Sequence, residues 1–527
     1  MKLFFAGGLN EQQTPSLFEC QEGYNFELGL KQSKLVPRAP LDLKGTATNA
    51  SAVAGFLQLV KRDNTETTLV QAGAMVYLWD GGSTFTSKGT VTGTSKLRDT
   101  YWSLGDYSVI TDIAKTTVVK KWDGTTFSTL THGLGGDFYA KYGAVHKNRV
   151  WLANVTSGTD TPHLIVASKF EDPTSYSVTS RGSIDTFASA APAFYLLSPD
   201  LKPINWMGVF QDLLIISTEG GQLFKLTGSS PTDFIFIPFY AGSAAVGDEA
   251  AANIGNDVVY MKAGGNIDLL SSTDRYGDVA ADDLSRWIPD RVTGLSAAIA
   301  VYEQAKQKVY FFVSGKVLVL FKDLIGGEFS PWSVYTTQQS FAFATLAAKY
   351  MKVPGSQNWS VFIGDSVGRI FDMNGTGTSG DAGASDIQVY RKTRYIHDGE
   401  GGDRNGRGAL DLKGRVVDGI VTYRRIAAAA SVTIGFDWGD EYNVSTSTIT
   451  LKGAPTASSG NYYGGTIYYS GTTSVAAYYS LGNLFARKIS SQTFSPTGKG
   501  PGCFVYLSLE TSTDFQIDSV EIQPPKT

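Results

Sequence analysis

The chain has 527 residues and a mass of 56.6 kDa, more than one hydrophobic core usually supports, so several domains or one large repeat architecture are expected. Charged residues make up 18%, against an average of about 25%, while 42% are apolar and 58 are glycine, which excludes a disordered chain and implies many turns. With 45 basic and 49 acidic residues the formal net charge is −4, which excludes a surface that grips nucleic acid all over but allows a local basic patch.

The opening MKLFFAGGLNEQQ has an apolar run shorter than a secretory signal needs, so no signal peptide is expected. Residues 1–44 read as an extended N-terminal arm. Two cysteines, Cys20 and Cys503, are too few for a disulfide framework and are expected to be buried, reduced thiols. Apolar stretches such as VLVLF fall far short of the roughly 20 residues that span a bilayer, so no membrane-spanning helix is expected.

From about residue 45 to residue 375, helical periodicity is nearly absent and apolar runs recur between turn-forming clusters. Six tracts read as hairpins, starting at Ser108, Val150, Leu213, Val258, Val309 and Val361, and lie 42 to 63 residues apart. That spacing is mostly near the period of about 40–50 residues of a propeller blade. A sequence echo supports it: YLWDGGSTF from Tyr77 and KKWDGTTF from Lys120 share Trp-Asp-Gly followed by Thr-Phe, with Trp79 and Trp122 43 positions apart. Asp-Gly would make the turn, and the tryptophans would pack between neighbouring sheets at the same level of each blade. The expected fold is all-β, a β-propeller of about six to eight blades over residues 45–375. The alternative is a non-repeating set of antiparallel sandwiches.

The tract DVAADDLSRWIPDRV from Asp278 reads as a helical insertion between blades, a turn or two stopped by Pro289. NGTGTSGDAGASD from Asn374 reads as a linker. Beyond it, residues 376–527 carry tyrosine-rich tracts and alternating strands, the mark of a C-terminal β-sandwich-like domain that either packs on the propeller or completes it.

Chemistry-bearing motifs are few. His132, His146, His163 and His397 are too far apart for a zinc motif, and neither a nucleophile elbow nor a phosphate loop occurs. Gly375, Gly377 and Gly380 satisfy G-x-G-x-x-G, but no apolar helix follows to hold a pyrophosphate. The clustered Asp278, Asp282 and Asp283 could serve a metal or a glycosidase, chemistry that sequence spacing does not place. The repeated Asp box of propeller sialidases and the Gly-His partner of WD repeats are both missing. No catalytic residue, metal or cofactor is therefore expected. The electrostatic feature is the segment from Arg391 to Arg425, with nine basic and five acidic residues around a glycine-rich centre. Arg391, Lys392, Arg394, Arg404 and Arg407 are the candidate contact residues for DNA or an acidic neighbouring subunit. A solvated hairpin of mixed charge is the other reading.

The N-terminal tract FAGGLNEQQTPSLFECQEGYNFEL, followed by LVPRAP, resembles the opening of tail hub or nozzle proteins of short-tailed bacteriophages, including packaged DNA stabilisation proteins. The residues that carry the likeness are Gly7, Gly8, Leu9, Asn10, Pro15, Asn25, Pro37 and Arg38, although Pro37-Arg38-Ala39-Pro40 departs from the simple Arg-Pro-Gly form. The resemblance continues through YLWDGGSTF, NWMGVFQDLLIISTEGGQLFKL, KQKVYFFVSGKVLVLF and VFIGDSVGRIFDM and ends at FQIDSVEIQPP. It implies a virion tail protein, made in the host cytoplasm, that forms a homo-oligomeric ring, a hexamer, below the head-to-tail adaptor or portal. It further implies contacts with other tail proteins, transient non-specific contact with packaged double-stranded DNA, and a part in genome retention and ejection. A carbohydrate-binding or glycosidase-like propeller is the alternative, and an intracellular propeller scaffold a third.

Overall fold

The computed structural model describes residues 36–375 with gaps, of which 177–192, 272–279 and 337–344 are the longest, and residues 2–3, 8–11, 20 and 22–28 before them. In the C-terminal part it describes backbone strands at 387–392, 396–397, 418–424, 430–437, 444–451, 489–494, 502–511 and 516–523. Seven four-stranded antiparallel sheets follow one another along the chain. They are the blades of a β-propeller, and each begins with its innermost strand: Val53–Val60, Leu97–Trp102, Phe138–His146, Ile204–Phe210, Ala251–Asn253, Ile299–Glu303 and Ala347–Lys352 for blades 1 to 7. Neighbouring inner strands pack together between blades 1 and 2, 2 and 3, 3 and 4, 5 and 6, 6 and 7, and 7 and 1. Blades 4 and 5 are tied by Asn253 Nδ2 donating to the Val209 carbonyl at 2.8 Å.

Blade 7 is closed from the other end of the propeller. Its three local strands end with Arg369–Asp372, and the fourth is Asp42–Thr46, paired from Arg369↔Thr46 to Asp372↔Asp42. This pairing hides what would otherwise be an open sheet edge and turns the row of blades into a ring.

The core is a set of seams rather than one centre. Separate apolar clusters fill the spaces between blades 7 and 1, 1 and 2, 2 and 3, 3 and 4, and 4 and 5, and a larger one spans blades 5 to 7 and the N-terminal arm. Trp79 and Trp122 occupy equivalent places, as their echo predicts. Trp79 meets Phe362 of blade 7 edge-on at 5.3 Å, and Trp122 Nε1 donates to Thr67 Oγ1 of blade 1 at 2.9 Å. The turns after them are equivalent too. Asp80 Oδ1 accepts from Gly82 N, and Asp123 Oδ1 from Thr125 N and Thr126 N, all between 2.8 and 2.9 Å. All six hairpin tracts form the second and third strands of blades 2 to 7.

Two local expectations are corrected. The tract from Asp278 is helical only in its second half: Ala280–Asp283 is the outer strand of blade 5, and a 3₁₀ turn at Leu284–Trp287 follows it before blade 6. Pro289 does not stop a helix but opens the one at Pro289–Val292, where its missing N–H costs nothing. The linker also begins later than its composition suggests. Asn374 Nδ2 donates to Glu303 Oε1 at 2.7 Å and to Ser360 Oγ at 3.0 Å, and Gly375 N donates to the Pro40 carbonyl at 3.1 Å.

Candidate functional site

Two regions have the chemistry of a site: the outer edge of blade 6 with the arm on it, and the central channel. Blade 6 ends in Trp332–Tyr335, and the arm continues its sheet. Leu9 N donates to the Trp332 carbonyl at 2.8 Å, and Asn25 N to the Val334 carbonyl at 2.7 Å. Gly8 is required here by close approach, because a Cβ on it would fall 2.1 Å from the Trp332 carbonyl oxygen. Arg38 is 2% exposed, and its Nε donates to Asn25 Oδ1 at 3.0 Å, its Nη1 to the Ala39 carbonyl at 2.9 Å and its Nη2 to the Thr336 carbonyl at 3.0 Å. Thus Gly8, Leu9, Asn25 and Arg38 are among the residues that fasten the arm.

Beside them Glu27 takes the ammonium of the buried Lys308, and Tyr335 OH donates to Glu27 Oε1 at 2.7 Å. Burial opposes the charge on Glu27, but Lys308 and the Tyr335 hydroxyl together outweigh it and hold the carboxyl below its ordinary pKa. Burial, with Glu27 and Glu303 nearby, pushes the Tyr335 hydroxyl far up, and burial with Glu303 does the same to Tyr310, so both stay neutral donors.

The arm also reaches the C-terminal strands. Lys2–Leu3 pairs with Gln516–Gln523, in a sheet completed by Asp418–Arg424 and Ile489–Phe494. Glu22–Tyr24 pairs with Ile387–Lys392, the second strand of a larger antiparallel sheet. Of the five candidate contact residues, Arg391 and Lys392 lie on this strand, opposite Gly23 and Glu22, while Arg394, Arg404 and Arg407 fall outside the described residues.

The channel holds a cavity of about 300 Å³. Lys96 of blade 2 pairs with Glu249 at the entry to blade 5, on the far side of the ring, and Arg98 Nη2 lies 3.7 Å from the same carboxylate. Lys349 of blade 7 pairs with Asp99 of blade 2, whose other oxygen accepts from Gln58 N at 3.0 Å. Arg98 lies over the Tyr142 ring of blade 3, 5.5 Å from its centroid. Gly143 beside it allows the inner strands of blades 2 and 3 to touch, since a Cβ there would come within 2.4 Å of Thr100 Oγ1. None of these channel residues stands out in the sequence, because the group is assembled from positions 96 to 349 by ring closure.

The other candidates have structural surroundings. His146 is buried at the end of its strand with its pKa lowered by burial, and Asp212 is 3.9 Å away. Among the described residues no cluster of three or more His, Cys, Asp or Glu could hold a metal, and Asp278 lies outside them. Gly375 is docked on Pro40, while Gly377 and Gly380 fall outside the described residues. Cys20 is buried, as expected, and Cys503 lies on the strand Gly502–Thr511. Among the described residues no helix is long and apolar enough to cross a membrane.

No protein-family model matches the sequence, and no curated protein does either. Among solved structures, the chain is similar to virginiamycin B lyase from Staphylococcus aureus at a TM-score of 0.41 and 12% identity, over 63% of this chain and 98% of that one. It is similar to a streptogramin B lyase at a TM-score of 0.40 and 11% identity, over 64% and 97%. A third likeness is to YCF48 bound to D1 peptide, at a TM-score of 0.39 and 12% identity, over 64% and 94%. These are likenesses of fold.

Proposed function

We propose that the chain is a structural virion protein, the tail nozzle or hub of a short-tailed bacteriophage, which assembles as a ring below the head-to-tail adaptor and surrounds the exit path of the DNA. The observation that carries this reading is the continuous hydrogen-bonded path from blade 6, through Leu9 and Asn25 of the arm, into the C-terminal sheet at Ile387–Lys392. Such a path joins the C-terminal strands to the propeller through the arm, at a point separate from the chain that leaves blade 7. A static assembly needs each subunit to present its partner surface at a fixed angle, which a second attachment favours. Leu9 and Asn25 on this path are also among the residues that resemble the nozzle family.

The role is structural and not catalytic. The two channel carboxylates are both held in ion pairs, which suits bracing better than proton transfer. The segment with Arg391, Lys392, Arg394, Arg404 and Arg407 supplies an assembly or DNA-facing surface, continuous with the strand that the arm secures. Replacing Arg404 and Arg407 together by alanine is expected to reduce ring formation, read by mass photometry, with the thermal midpoint of the subunit unchanged. Undiminished ring formation, or loss of the folded subunit, counts against the assignment of this surface. Hydrolysis on a glycan array that one carboxylate substitution abolished would overturn the non-catalytic reading in favour of a sugar-active propeller.

A further inference from the structure

The channel cavity has one charge too many. Three cations, Lys96, Arg98 and Lys349, face it with two carboxylates, Asp99 and Glu249. Lys96 and Lys349 each hold a carboxylate directly, so the excess positive charge rests on Arg98. Its Nε and Nη2 make no hydrogen bond, and the nearest carboxylate oxygen lies 3.7 Å from Nη2. A mostly buried guanidinium with unused N–H groups is costly unless something accepts from them. Around it the walls are apolar and aromatic: Phe56, Tyr142, Trp206, Met207 and Ile299.

We propose that the channel is a binding site for a small monoanionic carboxylate with an aromatic or apolar body, its carboxylate held by the Arg98 guanidinium and its body against Tyr142 and Trp206. The planar fork of arginine matches a carboxylate bidentately. One net positive charge balances one carboxylate, whereas a phosphate monoester brings about −1.5 to −2 near neutral pH. A volume of about 300 Å³ sits at the lower end for ligand pockets and sets the size limit. Lys96 and Glu249, both in the lining, form an ion pair beside Arg98 that keeps the Lys96 charge neutralised.

The test uses the full chain with para-fluorobenzoate as the probe, followed by fluorine NMR titration and thermal shift. Its neutral isostere para-fluorobenzamide and inorganic phosphate serve as comparisons. Saturable binding of the acid is expected, with the amide and phosphate each weaker by about tenfold or more, a difference set by the charge-assisted pair. Arg98→Met is expected to abolish the acid's binding, and Arg98→Lys, which keeps charge but not the fork, to weaken it by about tenfold. No binding of the acid, equal binding of the amide, tighter binding of phosphate, or unchanged binding in a folded Arg98→Met variant would overturn the proposal. Should Arg98→Met fail to fold, the acid-to-amide comparison in the unsubstituted chain decides.

Discussion

At the scale of single residues, the arm is held both by apolar side chains in the large core cluster, Leu9, Phe26, Leu28 and Leu41, and by a few polar groups beside them. Arg38 donates to three acceptors while 2% exposed, so Arg38→Met removes all three bonds, two of them to the half-buried carbonyls of Ala39 and Thr336. A loss of about 3 kcal/mol in urea unfolding is expected, with proteolysis near the N-terminus as a local readout. A change within experimental error would show that the arm does not couple to propeller stability. Glu27 predicts a pH dependence of definite sign. Its pKa is lowered in the folded protein, so its stabilising effect is fully present above the ordinary carboxylate range and is lost as pH falls through the lowered value. Stability of the unsubstituted chain should therefore fall below about pH 4 more steeply than that of Glu27→Gln, which starts lower because Lys308 loses its partner. Parallel pH profiles for the two proteins would contradict this.

At the scale of elements, the closing strand Asp42–Thr46 is the joint on which the ring depends. Gly45 sits where a Cβ would fall 2.4 Å from the Gly82 carbonyl oxygen, so Gly45→Val must push the strand away or distort the adjoining loop of blade 1. The expected cost is about 1–3 kcal/mol, together with greater aggregation as the edge of Arg369–Asp372 is exposed. An unfolding midpoint equal to that of the unsubstituted chain would show that the latch is dispensable. This strand, DLKGT, is also where the sequence is least informative. It has no strong apolar alternation, since an outermost strand buries little, and its partner lies more than 300 residues away. By contrast, the second strands of blades 2 to 7 are buried between neighbours, so they appear as apolar runs rich in Val, Ile, Leu and Phe and made the hairpins legible. The tract from Asp278 was misread because Asp and Ala disfavour strands on propensity, and only pairing with Ile267–Ser271 makes Ala280–Asp283 one. The channel group was illegible for a different reason: its members come from separate inner strands, and no local spacing links Lys96 to Glu249 or Asp99 to Lys349.

At the scale of the whole molecule, three devices act on the same ring: the closing strand, the ion pairs that join blades 2, 5 and 7 across the channel, and the arm that binds blade 6 to the C-terminal strands. Together they brace the subunit in three places: round its ring, across its channel and along the outer edge of blade 6. The most direct measurement of the proposed nozzle role is electron microscopy of the purified chain and of the phage particle that this role requires, with class averages from both. The account predicts rings with a central opening wide enough for a duplex, and a matching ring below the adaptor in the particle. Isolated propellers at all concentrations, and no corresponding density in the tail, would contradict it.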